Sequence, residues 1–241
     1  MRRLTKCLPG LCVLLLLTAC GFGAPEGATV QGRDISALYR LFVYVAIAVG
    51  GITYALIIWA ALRYRRRKDD TSELPRQFRY NVPIEVIYTV VPILIVIALF
   101  AVTFPVEQRV GSISPQPDVE VNVTGFKWQW RFDYPEHGIS IVGTPQAYPT
   151  LVLPVGQTVR INLSAADVIH SFYVPEFLFK RDAIPGMVNR FDLVIPEAGT
   201  FRGECAEFCG LDHSNMTFYV RAVPPEEYRR WVEGRSGGGE S

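Results

Sequence analysis

The chain has 241 residues, 49% of them hydrophobic, and a formal net charge of +1. That length holds one or two domains, and the near-neutral balance, with basic residues beside apolar segments rather than along a stripe, argues against a nucleic-acid partner. Long apolar runs crowd the first 104 residues; the remainder reads as a β-rich soluble domain large enough to bury a core without staples.

In chain order, Arg2, Arg3 and Lys6 precede a short apolar stretch from Leu11 to Leu17. That stretch is too short to span a bilayer comfortably, so residues 1–19 read as an export signal. Leu17-Thr18-Ala19-Cys20 resembles the bacterial lipobox, which implies cleavage before Cys20 and acylation of its thiol. An ordinary signal with a chance cysteine is the alternative. Cys7 and Cys12 leave with the signal and lipid blocks Cys20, so only Cys205 and Cys209 remain as free thiols. Residues 20–38, rich in Gly and Ala, read as an external linker.

Residues 39–104 form a predicted hairpin of two membrane spans. Tyr39 to Leu62 carries no charge except Arg40 near its outer end, and at 1.5 Å per residue it crosses a core of about 30 Å. Arg63, Arg65, Arg66, Arg67 and Lys68 follow and mark the cytoplasmic side. The second span, Pro83 to Phe104, contains Pro92, which should bend the helix or need a partner nearby. The lipobox and the basic cluster independently place the N-terminus and everything after Pro105 outside.

Short alternating runs follow at Val119–Thr124, Lys127–Tyr134, Thr158–Leu163, Phe191–Ile195 and Met216–Val223. Pro154-Val155-Gly156 and Pro196-Glu197-Ala198-Gly199 look like turns, and the spacing suits an antiparallel sandwich or Greek-key barrel over residues 105–225. Lys127–Tyr134 reads as a half-buried strand, with Trp128 and Trp130 on one face. Residues 226–241 read as a polar tail, Gly-rich and disordered from Gly234 onward.

The chemistry concentrates in Cys205-Ala206-Glu207-Phe208-Cys209-Gly210-Leu211-Asp212-His213-Ser214-Asn215-Met216. Two thiols, an imidazole and a thioether lie within twelve residues, and His170 stands far upstream at the end of a strand pattern. Three readings compete. A Cys205–Cys209 disulfide suits an oxidising compartment but leaves the His and Met unexplained. Structural zinc on Cys205, Cys209, His213 and His170 is chemically sound but gives Met216 no role. Copper uses all five side chains: a single blue-copper ion takes one Cys, two His and a weak Met, whereas two thiolates can bridge two ions.

Over nearly its whole mature length the chain resembles subunit II of the bacterial haem–copper cytochrome c oxidases. The resemblance is carried by the acylated start, the hairpin, Gly125-Phe126-Lys127-Trp128-Gln129-Trp130, Asp167-Val168-Ile169-His170-Ser171-Phe172, Asp182-Ala183-Ile184-Pro185-Gly186 and the cysteine loop. It implies a transmembrane helical hairpin followed by an all-β, cupredoxin-like barrel holding a dinuclear copper centre, CuA. Cys205 and Cys209 would bridge the ions, His170 and His213 would be terminal imidazoles, and Met216 and the Glu207 carbonyl weak ligands. The Glu207 carboxylate resembles a ligand to Mg or Mn at the boundary with subunit I. Trp128 matches the indole where the donor's electron enters, Trp130 a more interior neighbour, and Glu85 the entrance of the K proton pathway.

By that resemblance the chain is expected to serve an aa3-type cytochrome c oxidase in a bacterial cell membrane. It would accept electrons from cytochrome c, or from the haem domain of a cytochrome bc complex, and pass them to subunit I, where oxygen becomes water with proton translocation. The implied partners are subunit I, the other oxidase subunits and membrane lipids. Two positions depart from the family's usual residues: Phe172 and Tyr88 stand where Trp is common, and neither is a ligand position. The runner-up is a membrane-anchored module that stores or delivers copper, which would need exposed, exchangeable ligands. Glu85 has a bland alternative as a helix-start acid, and His137 matches no ligand and reads as an ordinary loop residue.

Overall fold

The computed structural model describes residues 26–65, 77–144 and 146–236. The expected signal, Cys20, most of the basic cluster and the last five residues lie outside the described residues. Two long helices come first, α1 (Val30–Arg63) and α2 (Val82–Gly111). Their apolar side chains point outward along nearly their whole lengths, with no buried residue in α2. Such surfaces suit lipid or other apolar helices rather than water, and both helices are long and apolar enough to cross a membrane, as expected.

Both helices overrun their expected limits. α1 starts inside the stretch expected as linker, because Thr29 caps it, accepting a hydrogen bond from the Gly32 N–H at 2.8 Å. Its 34 residues rise about 51 Å, well beyond a hydrocarbon core of about 30 Å. α2 runs through Pro92 and Pro105 to Gly111, so the β domain begins at Val119 rather than just after Pro105.

The β domain is a sandwich of two five-stranded sheets. The first contains β1 (Val119–Phe126), β2 (Gln129–Tyr134), β3 (Ile139–Val142), β5 (Val159–Ala165) and β8 (Asn189–Leu193), in the order β3-β2-β1-β5-β8. The second contains β4 (Thr150–Pro154), β6 (His170–Val174), β7 (Phe179–Ala183), β9 (Gly199–Cys205) and β10 (Thr217–Val223), in the order β4-β10-β9-β6-β7. β1 pairs with β5, and β10 with β4, in parallel, so the sandwich is mixed rather than wholly antiparallel. Parallel neighbours need a crossover connection. Strand periodicity along the chain carries no information about that.

Alternate residues fill the interior: Val119, Val121 and Val123 from β1, Val159, Ile161 and Leu163 from β5. An aromatic cluster lies between the sheets, where Phe218 stacks on Phe172 at 4.7 Å and meets Trp130 edge-on at 5.2 Å. A Cβ at Gly203 would come within 2.2 Å of the Phe218 ring on the neighbouring strand, so glycine leaves the room that ring occupies.

Two further expectations need correction. The run Lys127–Tyr134 is not one strand: β1 ends at Phe126, the chain turns at Lys127-Trp128, and β2 starts at Gln129. Trp128 therefore does not share a strand face with Trp130. The supposed tail contains α3 (Pro225–Ser236), whose Tyr228, Trp231 and Val232 fall at helical spacing and pack on the sandwich. Trp231 meets Tyr134 at 5.1 Å.

Candidate metal centre

His170 opens β6 and Cys205 closes β9, and the Phe172–Cys205 pairing brings these two strand ends together. The chain then leaves β9, loops through Cys209 and His213, and returns at Met216 to enter β10. The loop is pinned at its neck by Cys205 N–H donating to Met216 O at 3.0 Å. Gly210, with φ +118°, supplies the left-handed turn, and a Cβ there would press on the Trp128 indole at 3.3 Å.

This closure gathers all five expected side chains. Cys205 Sγ lies 3.9 Å from Cys209 Sγ and 3.9 Å from His170 Nδ1. Cys209 Sγ lies 3.5 Å from His213 Nδ1 and 3.8 Å from Met216 Sδ. The Glu207 carbonyl is 3.2 Å from Cys205 Sγ. His170, both cysteines and Met216 are buried; His213 is half-buried. A disulfide needs about 2.05 Å between sulfurs, and both cysteines are free thiols. Two sulfurs 3.9 Å apart can instead both reach an ion at about 2.3 Å, the usual metal–thiolate distance. The ligand atoms of His170, Cys205 and Cys209 lie within 4.8 Å of one another, a spacing compatible with a copper site. With two soft thiolates and a thioether, the donor set fits copper.

Asp167 orients this cluster, and the sequence reading did not single it out. Its carboxylate accepts from the backbone N–H of Lys127 at 2.8 Å and Val168 at 2.6 Å, and sits 2.9 Å from His170 Nε2. A neutral ring that donates from Nε2 to that carboxylate carries its lone pair on Nδ1, on the side of the sulfurs. Gly125 closes the other side: a Cβ there would be 3.1 Å from the His170 ring. A carboxylate three residues before a histidine was the available signal, but its meaning depends on where the strand ends.

The electrostatics follow from this packing. Burial pushes the Cys205 thiol up, but hydrogen bonding to His170, to nearby backbone and to His213 outweighs it and brings the group down to about 7. Burial and the adjacent Cys205 charge push Cys209 up to about 12. Burial lowers the His170 pKa, yet its contacts with Cys205 and Asp167 hold it above the ordinary value. Burial raises Asp167, but hydrogen bonds from His170, Lys127 and Val168 leave it below the ordinary carboxylate range. The proton preferences of the two thiols are thus pushed apart by their environments.

The remaining predicted residues are spread more widely. Trp128 is half-buried, and its Nε1–H donates to the Cys209 carbonyl at 3.2 Å. Trp130 is fully buried and donates to the Met216 carbonyl at 3.4 Å. The Glu207 carboxylate turns away from the sulfurs towards Lys180 Nζ at 3.6 Å. Glu85 lies at the opposite end of α2 from the sandwich, where its carboxylate accepts from the Asn81 N–H at 3.0 Å while Asn81 caps Ile84. His137 sits in a short turn beneath α3, its ring 6.4 Å from Tyr228.

The chain is similar to known proteins along most of its length. A family profile described as cytochrome C oxidase subunit II, transmembrane domain, matches residues 18–106. One described as cytochrome C oxidase subunit II, periplasmic domain, matches residues 145–223. A probable cytochrome c oxidase subunit 2 from Streptomyces avermitilis is 38% identical over 96% of this chain and 86% of its own. Cytochrome c oxidase subunit 2 from Mycobacterium tuberculosis is 34% identical over 91% of this chain and 76% of its own. The crystal structure of the periplasmic domain of subunit II of cytochrome oxidase from Bradyrhizobium japonicum is 32% identical, with a TM-score of 0.48, over 52% of this chain and 98% of that one.

Proposed function

Since the chain belongs to the cytochrome c oxidase subunit II family, we propose that His170, Cys205, Cys209, His213 and Met216 hold a dinuclear copper centre through which electrons enter the oxidase. The chain is a subunit of an oxygen-reducing haem–copper oxidase, with two apolar helices and an extracytoplasmic sandwich. One observation carries the dinuclear reading. Each thiol has its own imidazole, His170 beside Cys205 and His213 beside Cys209. Each also has its own weak donor, the Glu207 carbonyl on one side and Met216 on the other. Two equivalent half-sites sharing two sulfurs suit a pair of ions better than a single zinc.

Copper held there would take up and release one electron with little change in shape. The protein's part is to keep its ligands still and dry. Cys205 and His170 sit at the ends of paired strands, Asp167 fixes the His170 tautomer, and the aromatic cluster beneath excludes water. Trp128 is the entry residue in this reading, because its indole is half-exposed and hydrogen-bonded to the backbone of a ligand residue. The donor is cytochrome c or the haem domain of a cytochrome bc complex, and subunit I is the acceptor. In this reading the Glu207 carboxylate contributes to a Mg or Mn site at that boundary. Glu85 opens a proton path into subunit I, and an acylated Cys20 tethers the chain to the bacterial cell membrane. Burial of four of the five metal-binding side chains does not suit a copper-delivery module, which needs exchangeable ligands.

Metal analysis with electron paramagnetic resonance on the purified chain tests the central claim. Two coppers per chain are expected, and Cys205→Ser or Cys209→Ser should each destroy the shared-electron spectrum. One copper with a single-ion hyperfine pattern, or one tightly bound zinc, would overturn it.

A further inference from the structure

Three residues between Asp192 and Glu197 hold α1 and the connection that leaves α2. Asp192 pairs with Arg160 through contacts of 2.9 and 3.1 Å, and both side chains are largely buried. Between them they clasp one residue of the α2–β1 connection. The Ser114 N–H donates to Asp192 Oδ2 at 2.6 Å, and Arg160 donates to the Ser114 carbonyl. Two residues on, Val194 holds α1: its carbonyl accepts from Val30 N–H at 2.9 Å, and its N–H donates to Gln31 Oε1 at 3.2 Å. Glu197 then pairs with Arg33 at 2.7 Å. The triangle is closed by Arg109 of α2 and Asp34 of α1, 3.1 Å apart.

This truss is tightly built at α1. Ala28 N–H donates to the Glu176 carbonyl at 2.8 Å, and Thr29 is fully buried. A Cβ on Gly32 would lie 2.5 Å from the Phe177 carbonyl, so the helix meets the sandwich backbone to backbone. Fixed hydrogen bonds on α1 and on the connection that leaves α2 resist tilting, which a single flexible linker cannot do.

The truss stands at one end of the strands that carry the candidate centre. β1 and β5 run in parallel register from Val119–Val159 to Gly125–Ala165. Arg160 is near the base of β5. Five residues later, about 16 Å along the strand, lies Ala165, beside Gly125 under the His170 ring. Ala166 N–H donates to the Gly125 carbonyl at 2.9 Å, and Asp167 follows. Motion at the base is therefore carried to the tip.

We infer that Asp192, with Arg160 and Gln31 as its aids, is a positioning residue that sets the height and tilt of the centre above the membrane spans, and so the rate at which its electron passes onward. The inference rests on the electron-relay reading for its rate consequence, but not for the truss itself. Nothing in the truss touches a ligand, so loosening it should spare the metal and slow only the step that depends on where the centre stands.

The test uses the assembled oxidase carrying Asp192→Asn, Gln31→Leu or both. Copper content and photoreduction of the copper by a ruthenium complex should match the parent. Amide hydrogen exchange should quicken across residues 112–118 in Asp192→Asn and at Val194 in Gln31→Leu. Haem reduction after the flash should slow relative to the parent, and further in the double variant. Faster exchange with unchanged haem reduction would overturn the positioning role, and unchanged exchange would overturn the truss. Should Asp192→Asn fail to accumulate, Gln31→Leu carries the same readouts. Absence of copper from the parent would refute the relay reading, while the exchange measurements would still decide whether the truss exists.

Discussion

His170 Nε2 lies 2.9 Å from Asp167 Oδ1, and the same ring turns Nδ1 to within 3.9 Å of Cys205 Sγ. One carboxylate, fixed by two backbone amides, thus selects the tautomer that a metal needs. Asp167→Asn keeps the shape but can present an N–H where the ring needs an acceptor. Copper affinity should fall by roughly 10- to 100-fold, as for other residues that orient a ligating histidine. Competition with a copper chelator measures this. Unchanged affinity would reduce Asp167 to a turn residue.

The metal-free chain should show opposite behaviour at its two thiols. Cys205 is shifted below the ordinary thiol value of 9.0, so its contribution to stability is present above that value and is lost as pH falls through about 7. Cys209 is shifted up, so its contribution is present below the ordinary value and is lost as pH rises towards about 12. Stability of the reduced, copper-free chain should therefore rise from pH 7 to about 9 and decline beyond it. Denaturant midpoints across that range, compared with Cys205→Ser, provide the check: the rise should vanish in the variant.

Trp128 and Trp130 should separate cleanly. Trp128→Ala removes a half-exposed ring and one hydrogen bond to the Cys209 carbonyl. It should retain copper and respond normally to small reductants, yet accept electrons far more slowly from the cytochrome donor. Trp130→Ala empties a fully buried site in contact with Phe172 and Phe218, and should cost about 3–5 kcal/mol of stability with loss of copper. Stopped-flow reduction by both kinds of donor, beside denaturant unfolding, measures the two effects. A normal rate from the cytochrome in a fully metallated Trp128→Ala protein would remove Trp128 from the entry route.

For Glu85 the decisive comparison is between two substitutions. Its carboxylate accepts from Asn81 N–H at the start of α2, a capping role that glutamine can also fill. Glu85→Gln should still slow proton-coupled reduction of the buried oxygen-reducing centre if the residue passes protons, and so should Glu85→Ala. If the role is only capping, Glu85→Gln will behave like the parent. Transient reduction kinetics of the assembled oxidase distinguish these outcomes.

Much of this was legible in the chain alone, because it depends on local composition. A span is recognised from some twenty apolar residues and their flanking charges, and a soft-metal loop from Cys205, Cys209, His213 and Met216 within twelve residues. Neither inference needs to know what lies elsewhere. What depends on distant residues was not legible. Trp128 alternates with Trp130 as strand residues do, yet the strand breaks there, and its indole packs instead beside the distant loop at Cys209 and Gly210. The tail looked polar because only one face of α3 is apolar, and that face has value only against the sandwich, where Trp231 meets Tyr134. The start of α1 and the residues just before it looked like linker because their partners, Val194 and Glu176, lie well over a hundred residues away. Asp167 became meaningful once β6 was paired with β9, since that register places its neighbour His170 over the sulfurs. Periodicity and composition record what a residue is beside along the chain. Sheet register and the closure of two sheets decide what it faces across space, and that is set by all the strands together.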